Sequence, residues 1–368
     1  MRRFSRAVPR AARIDDPRCT PAQSGVPGDC RELDPVERDR RSLRIPSRAR
    51  QRAAVRRGAG RTVIRKPAPL SPGATVALVA PSGRSDPERL ERGIELLQSW
   101  NLQVRILDRA DPVRYMAATD EVRARQLTEA FCDPAVAAVL AVRGGYGASR
   151  LHETFDPSVV AAHPKPFVGF SDVSLLLNRL VQEAEVVSYH GPMVAADLPR
   201  LDAGARERFR RFLFDQDGWW DGRVREAWRA GTGEGPLAGG CLSVLVTTLG
   251  TPYEIETDGR VLFLEDVAEK PYRIDRMLSH LRHAGKLDRL AGVVFGPMLD
   301  CDGGDGPGVL REIVLDVLSG TDFPILYGLD AGHGSGNVVL PLGCRVRVDA
   351  GAARVDLLED AFDRRATR

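Results

Sequence analysis

The chain of 368 residues has no run of 18 apolar residues, so no segment reads as a transmembrane helix. Its first residues carry charge but no apolar core, which is not the pattern of a standard secretory signal. Six cysteines occur (Cys19, Cys30, Cys132, Cys241, Cys301 and Cys344), and none forms a C-x-x-C pair. A disulfide framework is therefore not expected, and a reducing, cytoplasmic compartment is. His280 and His283 lie three apart with no Cys or carboxylate trio around them, so they read as a solvated helix face rather than a zinc site. There is no internal repeat, no G-x-G-x-x-G and no lysine of the phosphate-loop kind. What remains is ordinary for a globular chain: 43% hydrophobic and 28% charged residues, with length for two domains.

The net charge of +3 hides an asymmetry. Residues 1–66 hold eighteen Arg and one Lys against seven acids, while the remainder holds 34 basic and 43 acidic residues. The body is acidic and the basic character comes from the tail, which argues against a nucleic-acid-binding fold. Residues 1–62 show no hydrophobic periodicity and are rich in Arg, Pro, Ala, Ser and Gly. Such a segment buries too little apolar surface to offset its ordering entropy, and disorder is expected. Translation from a later start codon near Val63 would omit it, a reading that the intact mass of the native protein decides.

From Thr75 the pattern changes. Thr75–Ala80, Leu102–Leu107, Val136–Val142 and Pro166–Phe170 are apolar runs fit for buried parallel strands, and helical spacings separate them. Asp86-Pro87-Glu88 is a helix start, with an N-cap, a proline at the first helical position and early negative charge. Alternating strands and helices imply βαβ units and a parallel sheet over residues 63–195. Residues 196–235 read as a connection, and a second domain over 236–362 follows, with strands at Val261–Leu264 and Ala291–Phe295.

Three sites after predicted strands break local rules, and the carboxyl ends of parallel strands are where a crevice forms. In Gly169-Phe170-Ser171-Asp172 a strand runs into a helix with Ser at the corner. That is the arrangement of a nucleophile elbow, although Val173 replaces the final glycine of G-x-S-x-G and a simple helix N-cap gives the same residues. Arg143-Gly144-Gly145-Tyr146-Gly147 is either an oxyanion loop or a plain turn. In Gly332-His333-Gly334 the His lies between glycines, as a general base or a surface residue. Glu265 and Asp266 end a strand and supply either an orienting carboxylate or solvated charge.

Taken in order, Val79-Ala80-Pro81-Ser82-Gly83, Arg143–Gly147, Gly169–Asp172, His190-Gly191-Pro192-Met193, Phe263-Leu264-Glu265-Asp266, Pro271–Leu278 and Gly332–Gly334 resemble the LD-carboxypeptidase family across about residues 63–360. The resemblance implies a flavodoxin-like N-terminal domain and a smaller β-rich swivelling C-terminal domain, in a homodimer. It implies a serine peptidase with Ser171 as nucleophile, Glu265 as orienter and His333 as general base. The backbone N–H groups of Asp172 and Gly145, beside Gly144, would hold the oxyanion. The implied reaction removes the terminal D-Ala from murein tetrapeptides in cytoplasmic cell-wall recycling, with no metal, cofactor, nucleic acid or membrane. Arg143 is either a partner for the substrate carboxylate or a salt-bridged structural residue. Cys241 stands where the family often has Asn, and it reads as a small buried hydrophobe. The alternatives are an immunity-type hydrolase of a peptide–nucleotide antibiotic and a non-catalytic ligand-binding protein.

Overall fold

The computed structural model describes residues 64–107, 111–304, 306 and 308–367; the basic tail at 1–62 lies outside them. Five parallel strands, β1 (Thr75–Val79), β2 (Gln103–Ile106), β3 (Val136–Ala141), β4 (Phe167–Gly169) and β5 (Ser188–His190), pair in the order β2-β1-β3-β4-β5. This is the flavodoxin-like order, and its switch point falls between β1 and β3. Nearly every residue of β1 and β3 is buried, since helices cover both faces. The helix Pro87–Ser99 starts where its sequence directs. The Asp86 carboxylate accepts the Arg89 N–H at 2.9 Å, Pro87 needs no N–H partner, and Ile94 and Leu97 face the core.

A second sheet holds β6 (Glu226–Arg229), β7 (Thr232–Cys241), β8 (Val261–Val267), β9 (Gly292–Leu299) and β10 (Ile325–Tyr327). In it β7, β8, β9 and β10 run parallel and β6 closes one edge antiparallel. The chain then returns to the first sheet as β11 (Leu340–Leu342), antiparallel to β5. It ends in β12 (Arg345–Asp349) and β13 (Arg354–Leu357), on the β7 edge of the second sheet. The helices Pro271–His283 and Gly308–Val317 cover one face through Ile274, Leu278, Leu281, Leu310 and Val314. Leu237, Val261 and Phe263 join the core that holds Leu176, Leu177 and Val173 of the first lobe. Both sheets lie within one compact unit, Ala59–Arg368.

The segment 196–235 is more than a connection. It contains the helix Ala203–Leu213, whose Phe209 and Phe212 pack among Tyr189 of the first sheet, Trp219 of the same segment and Phe362 near the end of the chain, and it contributes β6 and the start of β7 to the second sheet. Only five of that helix's eleven residues are apolar, and the surrounding arginines mask its buried face in the sequence. His280 and His283 are exposed on their helix. Among the described residues, no helix is long and apolar enough to cross a membrane.

Candidate active site

Strand β4 ends at Gly169 and the chain turns at once into a 3₁₀ turn, Ser171–Val173, that leads into the helix Ser174–Arg179. The turn is tight enough to put Ser171 in the left-handed region, at φ 59°. That conformation costs a non-glycine residue about 1–2 kcal/mol. Gly169 is required for space: a Cβ there would stand 2.9 Å from Val173 Cγ1 and 3.0 Å from Ala141 Cβ. The corner is thus a seryl elbow even though Val173 fills the last position of the usual motif.

The glycine loop leans against this corner. A Cβ on Gly144 would lie 3.1 Å from Ser171 Oγ and 3.5 Å from the Asp172 nitrogen, so the missing side chain leaves room over the hydroxyl. Gly145 and Gly147 adopt φ 110° and 137°, which glycine tolerates without strain. The loop is held from two sides at the switch point. Gly83 N–H donates to the Gly144 carbonyl at 3.1 Å, and the buried Arg123 guanidinium donates to the Gly147 carbonyl at 2.9 Å and to the Pro81 carbonyl. Asp172 is buried and accepts the Ala148 N–H at 2.8 Å. Burial raises its carboxyl pKa, opposed by that N–H and by the Arg123 charge.

The acid and the imidazole come from the second lobe. Glu265 sits where the β8–β9 register shifts, opposite Cys241 on β7, and is fully buried. Its Oε2 lies 2.6 Å from His333 Nδ1 and accepts the His333 backbone N–H at 3.1 Å. Gly332 makes this approach possible, because a Cβ there would fall 2.5 Å from the same oxygen. The Asn337 carboxamide fixes the loop by accepting the Gly332 N–H at 2.9 Å. Burial disfavours the charged His333 ring, but Glu265, with Asp197 and Asp266, outweighs it and raises the pKa above its ordinary value.

The two halves meet at Phe170. Its ring stands edge-on to His333 with centroids 4.9 Å apart. Among the described residues the Glu265–His333 pair is formed, and no hydrogen bond joins Ser171 Oγ to the His333 ring. Arg143 is exposed, donates to the Arg84 carbonyl at 3.0 Å and forms no ion pair among the described residues. A cavity of about 470 Å³, which none of Ser171, Glu265 and His333 lines, lies between Arg150, His152 and Leu175 of one lobe and Thr247, Thr251 and Tyr253 of the other.

Two contributors escaped sequence reasoning. His190 ends β5 in register with Gly169, packs against Phe170 and Phe263, and is fully buried, with neither ring nitrogen hydrogen-bonded. Only its place in the His190–Met193 motif marked it. Asp197 is buried close enough to His333 for the two charges to interact, and it accepts the Met193 N–H at 3.0 Å. Burial raises its pKa to about 6. A lone carboxylate with no motif around it carries no sequence signal.

A seryl elbow on a flavodoxin-like sheet, facing a carboxylate–imidazole pair from a second sheet, has the form of a two-lobed serine hydrolase. Family models confirm that class and narrow it. The LD-carboxypeptidase N-terminal domain matches residues 76–191 and the C-terminal domain residues 234–348, so this chain belongs to the LD-carboxypeptidase family of serine peptidases. It is 30% identical to the murein tetrapeptide carboxypeptidase of Pseudomonas aeruginosa, over 73% of this chain and 91% of that protein. A solved muramoyltetrapeptide carboxypeptidase from Oxalobacter formigenes superposes with TM-score 0.70 at 31% identity, covering 79% of this chain and all of that one (100%). The microcin C7 self-immunity protein of Escherichia coli is 24% identical over 79% of this chain and 95% of its own length.

Proposed function

We propose that this protein is an LD-carboxypeptidase that cleaves the amide between an L-centre and a terminal D-Ala in murein tetrapeptides, in the cytoplasm and as a homodimer. The observation that carries the reading is the 2.6 Å Glu265–His333 contact placed across Phe170 from a strained seryl elbow. Glu265 occupies Nδ1, which leaves Nε2 to take the Ser171 proton. Ser171 Oγ then attacks the scissile carbonyl carbon. The backbone N–H groups of Asp172 and Gly145 receive the oxyanion, in the space that Gly144 leaves open. His333 returns the proton to the departing D-Ala amine, and water attacks the acyl-enzyme by the same route. Ser171 and His333 belong to different lobes, so a small closure that unites them is part of the proposed cycle. Cys241 takes no part in the chemistry.

Mass spectrometry of a murein tetrapeptide incubated with the protein tests this: loss of one D-Ala is expected. Ser171→Ala lowers turnover by at least about 10³-fold while substrate still binds. Cleavage that survives the substitution ends the mechanism.

The similarity to the immunity protein supports a second reading, hydrolysis of a peptide–nucleotide conjugate by the same residues. The exposed Tyr115 and Tyr146 beside the glycine loop favour it, as surfaces on which a ring could stack. The kcat/KM values for the two substrates decide between the readings.

A further inference from the structure

We propose that Asn178 and Gln182, with Ser174, are positioning residues of the hydrolysis: they lock the helix behind Ser171 to the lobe that carries Glu265 and His333, and so set the distance between hydroxyl and imidazole. The inference rests on the peptidase reading and deepens it. Ser174 lies three residues after Ser171 and starts the helix Ser174–Arg179, which runs on into a wider π-type turn, Leu180–Ala184. Leu175, Leu176, Leu177, Leu180 and Val181 of this segment are buried. Three uncharged polar residues interrupt them at every fourth position, Ser174, Asn178 and Gln182, a spacing that keeps them on one side of a helix. Ser174 and Asn178 are themselves buried. A buried hydroxyl or amide costs free energy unless its polar atoms are paired.

The partners are backbone groups of the second lobe. Asn178 Nδ2 donates to the Gly239 carbonyl at 2.8 Å and to the Ser174 carbonyl at 2.7 Å, and Oδ1 accepts the Gly239 N–H at 3.0 Å. Gln182 repeats the pattern: Nε2 donates to the Glu254 carbonyl at 3.2 Å, and Oε1 accepts the Glu256 N–H at 3.0 Å. Ser174 Oγ accepts the Cys241 N–H at 3.4 Å. Gly240 allows the strand to come this close, since a Cβ there would stand 2.4 Å from Ser174 Oγ. Between the two carboxamides, Arg179 lies over the Tyr253 ring at 5.0 Å, and His152 stacks on that ring with centroids 4.2 Å apart.

The seam ends at the reacting groups. Gly239 and Cys241 on β7 pair in register with Phe263 and Glu265 on β8. One strand spacing therefore separates the Asn178 contact from the carboxylate that holds His333. At the other end the helix is continuous with the turn Ser171–Val173. Misplacing reacting groups by about 1 Å costs on the order of 10²-fold in rate. Apolar contact is non-directional and does not resist a slide of that size. Each carboxamide is bonded at both its oxygen and its nitrogen, so a slide breaks two bonds at once. The closure in the proposed cycle then pivots on this seam and does not slide along it.

The test uses the full chain carrying Asn178→Ala, Asn178→Asp or Gln182→Ala. Asn178→Asp keeps the shape and puts an acceptor where the donor faced two carbonyls. Two rates are read per folded molecule, with the folded fraction taken from the unfolding transition. One is kcat on the murein tetrapeptide. The other is phosphonylation of Ser171 by a fluorophosphonate, which needs the Ser171–His333 alignment and no peptide. We expect both rates to fall about 10–100-fold in the Asn178 variants and about fivefold in Gln182→Ala, with KM nearly unchanged. The Glu265–His333 pair lies within the second lobe, so the acid limb of the pH profile should stay in place while the plateau falls. A merely structural role lowers the melting temperature and leaves both rates per folded molecule at their wild-type values, and that result overturns the proposal. So does a displaced acid limb, which would mean that the substitution acts through the carboxylate and not through alignment. Should the Asn178 variants not fold, the half-buried Gln182→Ala decides. Ser171 labelling that drops in the variants, without loss of D-Ala from the peptide, ends the substrate reading alone. Wild-type cleavage with unaltered rates in the variants ends this proposal alone.

Discussion

Two histidines flank the same phenylalanine and do opposite things. His190, at the end of β5, and His333, in the loop after β10, approach the Phe170 ring at 5.6 and 4.9 Å. His190 is fully buried without a hydrogen-bond partner, and burial drives its pKa down to about 4. His333 keeps a fifth of its side chain in solvent, and Glu265 raises its pKa. Burial opposes the charge on both rings, and only one has a carboxylate within hydrogen-bonding reach. That carboxylate makes one ring fit to accept a proton near neutrality and leaves the other an inert wedge between the lobes.

The strongest way to break this contrast is to make His333 resemble His190. Glu265→Gln keeps the shape and removes the charge. We expect kcat/KM to fall by about 10³–10⁴-fold, since the amide supports the wrong tautomer and cannot stabilise an imidazolium. The pH profile gives the sign. In the proposed mechanism the base works when neutral, so activity should rise with pH through the His333 pKa, and the wild-type acid limb should lie above 6.5. In Glu265→Gln the residual activity should keep its value to lower pH. A limb that does not move would show that another group limits the reaction.

His190 supplies the converse effect, in stability. Its pKa is depressed when folded, so the unfolded chain binds the proton first as pH falls. The stability that neutral His190 allows is complete above about 6.5 and is lost as pH drops toward 4. Denaturant unfolding at pH 7 and pH 5 should therefore differ less in His190→Gln than in the wild type, by roughly 2 kcal/mol. His152, also lowered to about 4 by burial, retains its own share in both proteins. An unchanged difference would mean that the imidazole reaches water.

A smaller effect is expected on the hydroxyl side. Gly144→Ala places a methyl 3.1 Å from Ser171 Oγ without backbone strain. It should reduce kcat about 10–100-fold and leave the melting temperature nearly unchanged, because the methyl enters the crevice and not the core. Loss of stability without loss of kcat would place the glycine in folding and not in the site.

How far the sequence disclosed this site follows from the range of the contacts. The seryl corner is local: Gly169, Ser171 and the helix start lie within a few residues, and strand-then-turn patterning exposes them. The parallel strands were legible because burial on both faces forces continuous apolar runs, as in Val136–Ala141. The Glu265–His333 contact spans 68 residues. No spacing rule reaches that far, and only the ordered family motifs suggested it. Asp197 and the unpartnered state of His190 depend on which side chains the lobes bring together, and the buried face of Ala203–Leu213 was hidden by its arginines. The return of β11 to the first sheet was invisible because a three-residue apolar strand fits either lobe.

The least effect falls on Cys241, where the contrast between nucleophiles is sharpest. It is opposite Glu265 in the β7–β8 register and is 3% exposed, with Sγ 3.7 Å from Asp266 Oδ1. Burial pushes the thiol pKa well up, and the charges of Glu265 and Asp266 push it further, so almost no thiolate forms at neutral pH. Cys241→Ala should change kcat by less than about threefold, in line with a small apolar filler. Alkylation of the native protein at neutral pH should modify the exposed Cys132 and leave hydrolysis intact. If alkylation at Cys241 abolished activity while Ser171→Ala did not, the nucleophile would belong to the acid-bearing lobe, and the division of labour between the two sheets would be reversed.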